Sequence, residues 1–250
     1  MSRPPRAATA SDDTSSAADR DLRRKKRELA ALVVHDLRSP LSATAGCLQL
    51  LRRELAAGAD PAQIAGILDG ADALIAKALS LVATILDVDE LEDGILRASP
   101  SQVELAPMVQ AARVNSRADS ELRELTFELD MAPGLTVAVD RDLMTRVLEN
   151  LVDNAVRYAP RRGRVAVAAR TEDDVLELTV GNDGPPVPVA EREAIFGRYH
   201  QVEARRASAR ANRGLGLYFC RLAVEAHGGT IRVEPRGPLC AVFVIRIPQR

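Results

Sequence analysis

Apolar positions in the first third of the chain repeat with the period of a helix. At about 100° of turn per residue, Leu37, Leu41, Thr44, Leu48, Leu51 and Leu55 fall on one stripe. They predict an amphipathic helix from about Arg20 to about Ala57. Pro40 lies inside it, where the missing amide donor predicts a kink. Gly58-Ala59-Asp60-Pro61 reads as a turn: Gly follows one helix end, Asp can cap the next, and Pro suits its first turn. A second helix is predicted from about Ala62 to Leu91. Along it Ile64, Leu68, Ala71, Ile75, Ala78, Val82 and Ile85 alternate steps of four and three, and Ile67, Leu74, Leu81 and Val88 form a flanking apolar line. Two such lines make a face too wide for one partner helix. The hairpin therefore predicts a second copy and a dimeric four-helix bundle, with an intramolecular helical domain as the competing reading.

Beyond about residue 96 the period changes. Leu96 to Pro107 reads as a connection with an edge strand, and Leu105 to about Ser120 as a helix. Leu125–Leu129 and Leu135–Val139 read as strands around the turn Ala132-Pro133-Gly134. Asp140 can cap a helix through about Tyr158. Val165–Ala169 and Val175–Val180 predict a hairpin, and Gly181–Arg213 is irregular. A helix follows from Gly214 to about Ala226, and His227-Gly228-Gly229 turns into the strand Thr230–Glu234. Leu239–Ile247 then closes the sheet. The expected fold class is α followed by α/β: a helical hairpin, then a sandwich of one sheet with helices on one face. Residues 1–19 lack apolar periodicity and predict a disordered tail with no task of its own. Residues 20–95 form the hairpin and 96–250 the α/β domain.

Composition narrows the class. Aromatics are 3% of the chain and Trp is absent, so the core must be built from Ala, Leu and Val. The net charge of −1 gives no reason to expect nucleic acid or an anionic membrane as a partner. The basic run at 20–28 merges into the heptad pattern and reads as a solvated face, with membrane or nucleic-acid binding the lesser alternative. Cys47, Cys220 and Cys240 form no CxxC and cannot all pair, which predicts a reduced, cytoplasmic protein. No stretch approaches the ~18 unbroken apolar residues of a membrane span, and the N-terminus has no signal-peptide core.

Candidate chemistry begins at His35, which lands roughly 160° from the middle of the first apolar stripe and should face water. A ring that titrates near neutral pH, with Asp36 beside it, suits a nucleophile or a proton shuttle. Taken alone it reads as a solvated surface histidine. Asn150 and Asn154 are one helical turn apart and share a face. Their amide oxygens can ligate a Mg²⁺ that keeps its waters and bridges phosphates. Two polar surface residues are the alternative, weakened by the apolar neighbours Leu151, Val152, Ala155 and Val156. Asn182-Asp183-Gly184-Pro185-Pro186 alone is an ordinary turn. Gly214 and Gly216 would let phosphate approach the backbone at a helix start. The polar, Arg-rich stretch 203–212 reads as a mobile lid whose arginines reach phosphate.

Val33-Val34-His35-Asp36-Leu37-Arg38-Ser39-Pro40-Leu41 resembles the phospho-acceptor box of sensor histidine kinases, usually His-Glu/Asp-Leu-Arg-Thr/Ser-Pro-Leu. Arg146–Tyr158 is similar to that family's N box and Val180–Val187 to its G1 box. Ile195–Tyr199 is similar to the F box and Asn212–Leu217 to the G2 box. The resemblance covers about Arg20 to the C-terminus. It implies a dimerisation and phosphotransfer hairpin followed by an ATP-binding domain of the kind shared with gyrase-type ATPases.

The resemblance also implies roles. ATP and Mg²⁺ are the cofactors, His35 is phosphorylated, Asp36 accepts or orients the ring proton, and Ser39 positions water in a phosphatase reaction. Asn154 is the main Mg²⁺ ligand with Asn150 assisting, and Arg157 and Tyr158 lie near the phosphates. Asn182 meets adenine within a box that includes Asp183, Gly184 and Pro186. Arg213, Gly214, Leu215, Gly216 and Leu217 surround phosphate. Gyrase-type ATPases hold a glutamate base where Asn150 stands, so a protein nucleophile rather than water is expected to attack ATP; Glu149, one position off, should point elsewhere. The implied partners are a second copy, a separate response-regulator receiver docking near Cys47 and Arg52, and an unknown upstream sensor. Three departures stand out: Asn182 replaces the usual adenine-binding Asp, Pro186 replaces the second Gly, and the G2 box lacks its leading glycines. They raise the alternative of a pseudokinase acting as a dimeric interaction module. A serine kinase of the anti-sigma type, which shares the ATP domain, is a second rival.

Overall fold

The structure is a computed structural model that describes residue 34, residues 37–198 and residues 215–249. The chain forms two compact units, Met1–Val82 and Ala83–Arg250.

In the first unit, helix α1 is described over residues 37–56 and joins helix α2 (Pro61–Glu92) through a turn at 57–60. Gly58 takes the left-handed conformation with φ 73° that ends a helix cleanly. Asp60 Oδ1 accepts from the Ala62 amide at 3.1 Å, the expected cap. The burial pattern revises the predicted seam. On α1, Pro40 and Thr44 are buried and Leu37, Cys47 and Leu51 half-buried, while Leu41, Leu48 and Leu55 are exposed. On α2, Ala71 and Ala78 are buried and Ile64, Ile67, Leu74 and Leu81 half-buried. The hairpin's own seam thus takes one row from each predicted line. The remaining row, Leu68, Ile75 and Val82, is 44%, 42% and 40% exposed.

The second unit starts within α2. Val88 is fully buried in its core, with Leu91 and Leu96 packed against the same cluster. Strand β1 (Ser101–Glu104) pairs antiparallel with β3 (Thr136–Val139) in a two-stranded sheet. Between them lie α3 (Leu105–Asn115), α4 (Arg117–Leu122) and β2 (Thr126–Met131). The helix expected over Leu105–Ser120 therefore breaks at Ser116, and the two strands flanking Ala132-Pro133-Gly134 go to different sheets. The main sheet has the order β2-β4-β5-β7-β6, with β4 Arg164–Glu172, β5 Val175–Asn182, β6 Thr230–Arg236 and β7 Leu239–Pro248. Only β2–β4 is parallel. The β4–β5 hairpin turns at Asp173 and Asp174, both at positive φ, which Asp tolerates in a two-residue turn. β7 lies inside the sheet and β6 forms the edge, so the last strand does not close it as the sequence suggested.

Two helices pack on this sheet, α5 (Arg141–Tyr158) and α6 (Gly216–Ala226). Asp140 caps α5 by accepting from the Asp142 and Leu143 amides at 3.0 and 3.1 Å. The inward face of α5 carries Leu143, Met144, Val147, Leu148, Leu151, Val152, Ala155 and Val156, and among them one polar residue, Asn154.

Candidate functional site

The site is assembled where α5, the end of β5 and the start of α6 meet. Asn150 is half-buried, and its Nδ2 donates to the Arg146 carbonyl at 2.8 Å. That bond fixes the amide and leaves Oδ1 toward the first residue of α6. A methyl group on Gly216 would stand 2.4 Å from Asn150 Oδ1, so the absence of a side chain there lets the amide oxygen lie against the start of α6. Asn154, one turn on, is 8% exposed. Two neutral amide oxygens beside a helix start suit a hydrated Mg²⁺ carrying phosphates. Among the described residues no group of three His, Cys, Asp or Glu could hold a metal.

The second corner is the end of β5. Asn182, the last residue of that strand, is 2% exposed, and its Nδ2 is buried without a hydrogen-bond partner among the described residues. A methyl on Gly184 would lie 2.0 Å from the Tyr158 carbonyl and 2.5 Å from Asn182 Nδ2, so Gly184 joins the C-terminus of α5 to Asn182. Asp183 turns away: its Oδ1 accepts from the Arg164 amide at 2.8 Å. Arg157 is 12% exposed and pairs with Asp153, and Pro186 is exposed. Leu215 is buried and Leu217 half-buried at the start of α6. Glu149 points elsewhere as expected, accepting from Asn115 Nδ2 at 2.8 Å. On α1, Ser39 is exposed. His35, Asp36, Arg213, Gly214, Tyr199 and the Arg-rich 203–212 stretch lie outside the described residues.

Supporting residues were not legible from the sequence. Arg123 Nη1 donates to the Val156, Arg157 and Ala159 carbonyls at 3.1, 2.7 and 2.8 Å, closing the C-terminus of α5. His227 ends α6: Nδ1 donates to the Ala223 carbonyl at 2.7 Å and Nε2 accepts from the Asp140 amide at 2.9 Å. It ties the end of α6 to the start of α5, which makes its role structural. The last turns of α2 are held by three side chains. Arg146 pairs with Asp87, donates to Thr84 Oγ1 at 3.2 Å and stacks over Phe219 at 4.6 Å. Arg198 pairs with Asp89 and Glu92 at 2.9 and 2.8 Å, and the Tyr218 hydroxyl donates to Glu92. Burial, then Glu92, pushes the Tyr218 phenol up. Each contact joins positions far apart in sequence.

Two family models match the chain. Residues 25–94 match the His Kinase A (phospho-acceptor) domain, and residues 139–250 the histidine kinase-, DNA gyrase B- and HSP90-like ATPase. The adaptive-response sensory kinase SasA of Synechococcus sp. (strain JA-3-3Ab) is 34% identical over 212 residues, which is 84% of this chain and 55% of SasA. The signal transduction histidine-protein kinase/phosphatase MprB of Mycolicibacterium smegmatis is 29% identical over 220 residues, 86% of this chain and 43% of MprB. The chain thus spans about half the length of these curated relatives. Its fold matches the crystal structure of histidine kinase ThkA in complex with response regulator protein TrrA. The TM-score is 0.57 at 23% identity, over 98% of this chain and 68% of that one.

Proposed function

Because the chain belongs to the sensor histidine kinases and carries their phospho-acceptor and ATP-binding modules in order, we propose that it autophosphorylates His35 from ATP. The phosphoryl group then passes to an aspartate of a separate response regulator. The observation that carries this reading is the close approach of Asn150 Oδ1 to side-chain-free Gly216, beside buried Asn154. That contact sets an amide oxygen against a helix start, where backbone amides favour phosphate.

In the reaction the imidazole lone pair attacks the γ-phosphorus in line. The bond to the β–γ bridging oxygen breaks, ADP leaves, and the ring proton passes to Asp36. Mg²⁺, held by Asn154 and Asn150, offsets phosphate charge when bound. Arg157 and Tyr158 flank the phosphates. Leu215, Gly216 and Leu217 present backbone to them together with Arg213 and Gly214. Asn182 reads the base.

The partners follow from the surfaces. Exposed Leu48 on α1 and the exposed row with Ile75 and Val82 on α2 form the seam of a homodimer, because an apolar surface of that length needs a cover. ThkA was crystallised with a response regulator, and the equivalent partner here docks on α1 near Cys47 and Arg52. MprB is named kinase/phosphatase, and Ser39, exposed on α1, is the hydroxyl that positions water for dephosphorylation. No helix among the described residues is long and apolar enough to cross a membrane. We place the catalytic core in the cytoplasm, where ATP is available and its unpaired cysteines stay reduced.

The departures at Asn182 and Pro186 favour one second reading, a pseudokinase. Labelled ATP decides. The expected product is acid-labile and base-stable, and His35→Gln abolishes labelling while nucleotide binding survives. Undiminished labelling of the variant would overturn His35 as acceptor. An acid-stable label would indicate a serine kinase, and binding without labelling a pseudokinase.

A further inference from the structure

The unpaired amide at the end of β5 has a consequence for which base the site takes. Asn182 is 2% exposed, and its Nδ2 has no hydrogen-bond partner among the described residues. A buried donor left unsatisfied is costly, so it points to an acceptor supplied from outside the protein. Gly184 packs directly against it: a methyl there would come within 2.5 Å of Nδ2 and 2.0 Å of the Tyr158 carbonyl, so only a residue without a side chain lets the backbone pass this close to the amide. The neighbouring carboxylate does not compete, because Asp183 Oδ1 is held by the Arg164 amide at 2.8 Å.

An aspartate in this place can only accept. It suits the 6-amino group of adenine and opposes a 6-oxo group. An asparagine carries a donor and an acceptor side by side and exchanges them by turning its amide about the last side-chain bond. In one orientation Oδ1 accepts from the adenine 6-amino group while Nδ2 donates to N1. In the other Nδ2 donates to the 6-oxo group of hypoxanthine or guanine while Oδ1 accepts from N1–H.

We infer that the orphaned Asn182 Nδ2, set against side-chain-free Gly184 at the end of β5, makes this a purine site that accepts 6-oxopurine nucleotides as well as adenine nucleotides. The inference rests on the reading of the α5–β5–α6 site as a nucleotide site. Asn182 is its specificity-determining residue.

Calorimetric titration of the full chain with ADP and with IDP, both with Mg²⁺, tests it. These two nucleotides differ only around position 6 and undergo no turnover. The unaltered protein is expected to bind them within about fivefold of each other, a difference of roughly 1 kcal/mol. Asn182→Asp is expected to favour ADP by about a hundredfold, because a carboxylate oxygen then stands against the oxo group where Nδ2 had donated, even while the other oxygen can accept from N1–H. A preference of about a hundredfold for ADP in the unaltered protein overturns the inference and leaves the nucleotide site standing. So does an unchanged ADP/IDP ratio in Asn182→Asp with its thermal melt intact. Failure of both nucleotides to bind overturns the nucleotide site and the inference together.

Discussion

Removing the negative charge of Glu177 should destabilise the ATP-binding domain in a pH-dependent way. Glu177 lies on β5, with 8% of its side chain exposed, under three arginines of neighbouring strands. Its Oε1 accepts from Arg170 Nη2 and Arg236 Nη1, both at 2.9 Å. Its Oε2 accepts from Arg246 Nε and Nη2 at 2.9 and 2.7 Å. The Arg236 hydrogen bond acts first, against burial, and with Arg246 and the charge of Arg170 it lowers the carboxyl to about 2. A folded value below the unfolded one stabilises the protein above the ordinary glutamate value of about 4.3, and that stability is lost as pH falls through about 2. A displacement of this size corresponds to about 3 kcal/mol. The arginines are 66%, 33% and 50% exposed, and solvent screening reduces the expected effect to about 1–2 kcal/mol. Glu177→Gln keeps the shape and removes the charge. Urea unfolding followed by tyrosine emission is the assay: Trp is absent, and Tyr158, Tyr199 and Tyr218 all fall in the second unit. The variant should be less stable by about 1–2 kcal/mol at pH 7, with the gap roughly halved at pH 3. Equal stability at pH 7, or a gap of the same size at both pH values, would refute the reasoning.

Three further outcomes are expected. Gly216→Ala places a methyl 2.4 Å from Asn150 Oδ1, so affinity for ADP with Mg²⁺ should fall about tenfold; calorimetry that finds it unchanged would remove Gly216 from the site. Leu48→Glu with Val82→Glu should yield monomers in sedimentation velocity, since burial of each such side chain is worth about 1.5–3 kcal/mol; a persistent dimer would mean that the seam runs elsewhere. Ser39→Ala should slow dephosphorylation of the cognate regulator and spare autophosphorylation. If both rates are unaltered, Ser39 is only a surface hydroxyl.

Much of this protein is legible in local pattern. The heptad rows at 64–88, the Gly58–Pro61 turn, the Asp140 cap and the Asn150/Asn154 pair all depend on spacing within a few residues, and helical geometry converts such spacing directly into a shared face. Which apolar row closes the hairpin and which is left open was not local. The small residues Ala71 and Ala78 are buried while the larger Leu68 and Ile75 remain out, a choice set by how closely the two helices approach. Strand order likewise rests on pairing: β7 is almost continuously apolar and β6 alternates with charge, but it is pairing with β5 that puts β7 inside and leaves β6 at the edge. The site followed the same division. Asn182 and Asp183 are adjacent and both polar in the sequence. Tertiary structure separates them, because the Arg164 amide at the start of β4 takes the carboxylate, while Asn182 Nδ2 is buried without a partner among the described residues. Arg123, His227 and Tyr218 act through partners 33 or more residues away. No spacing rule reaches that far, since what brings such residues together is the packing of the whole domain.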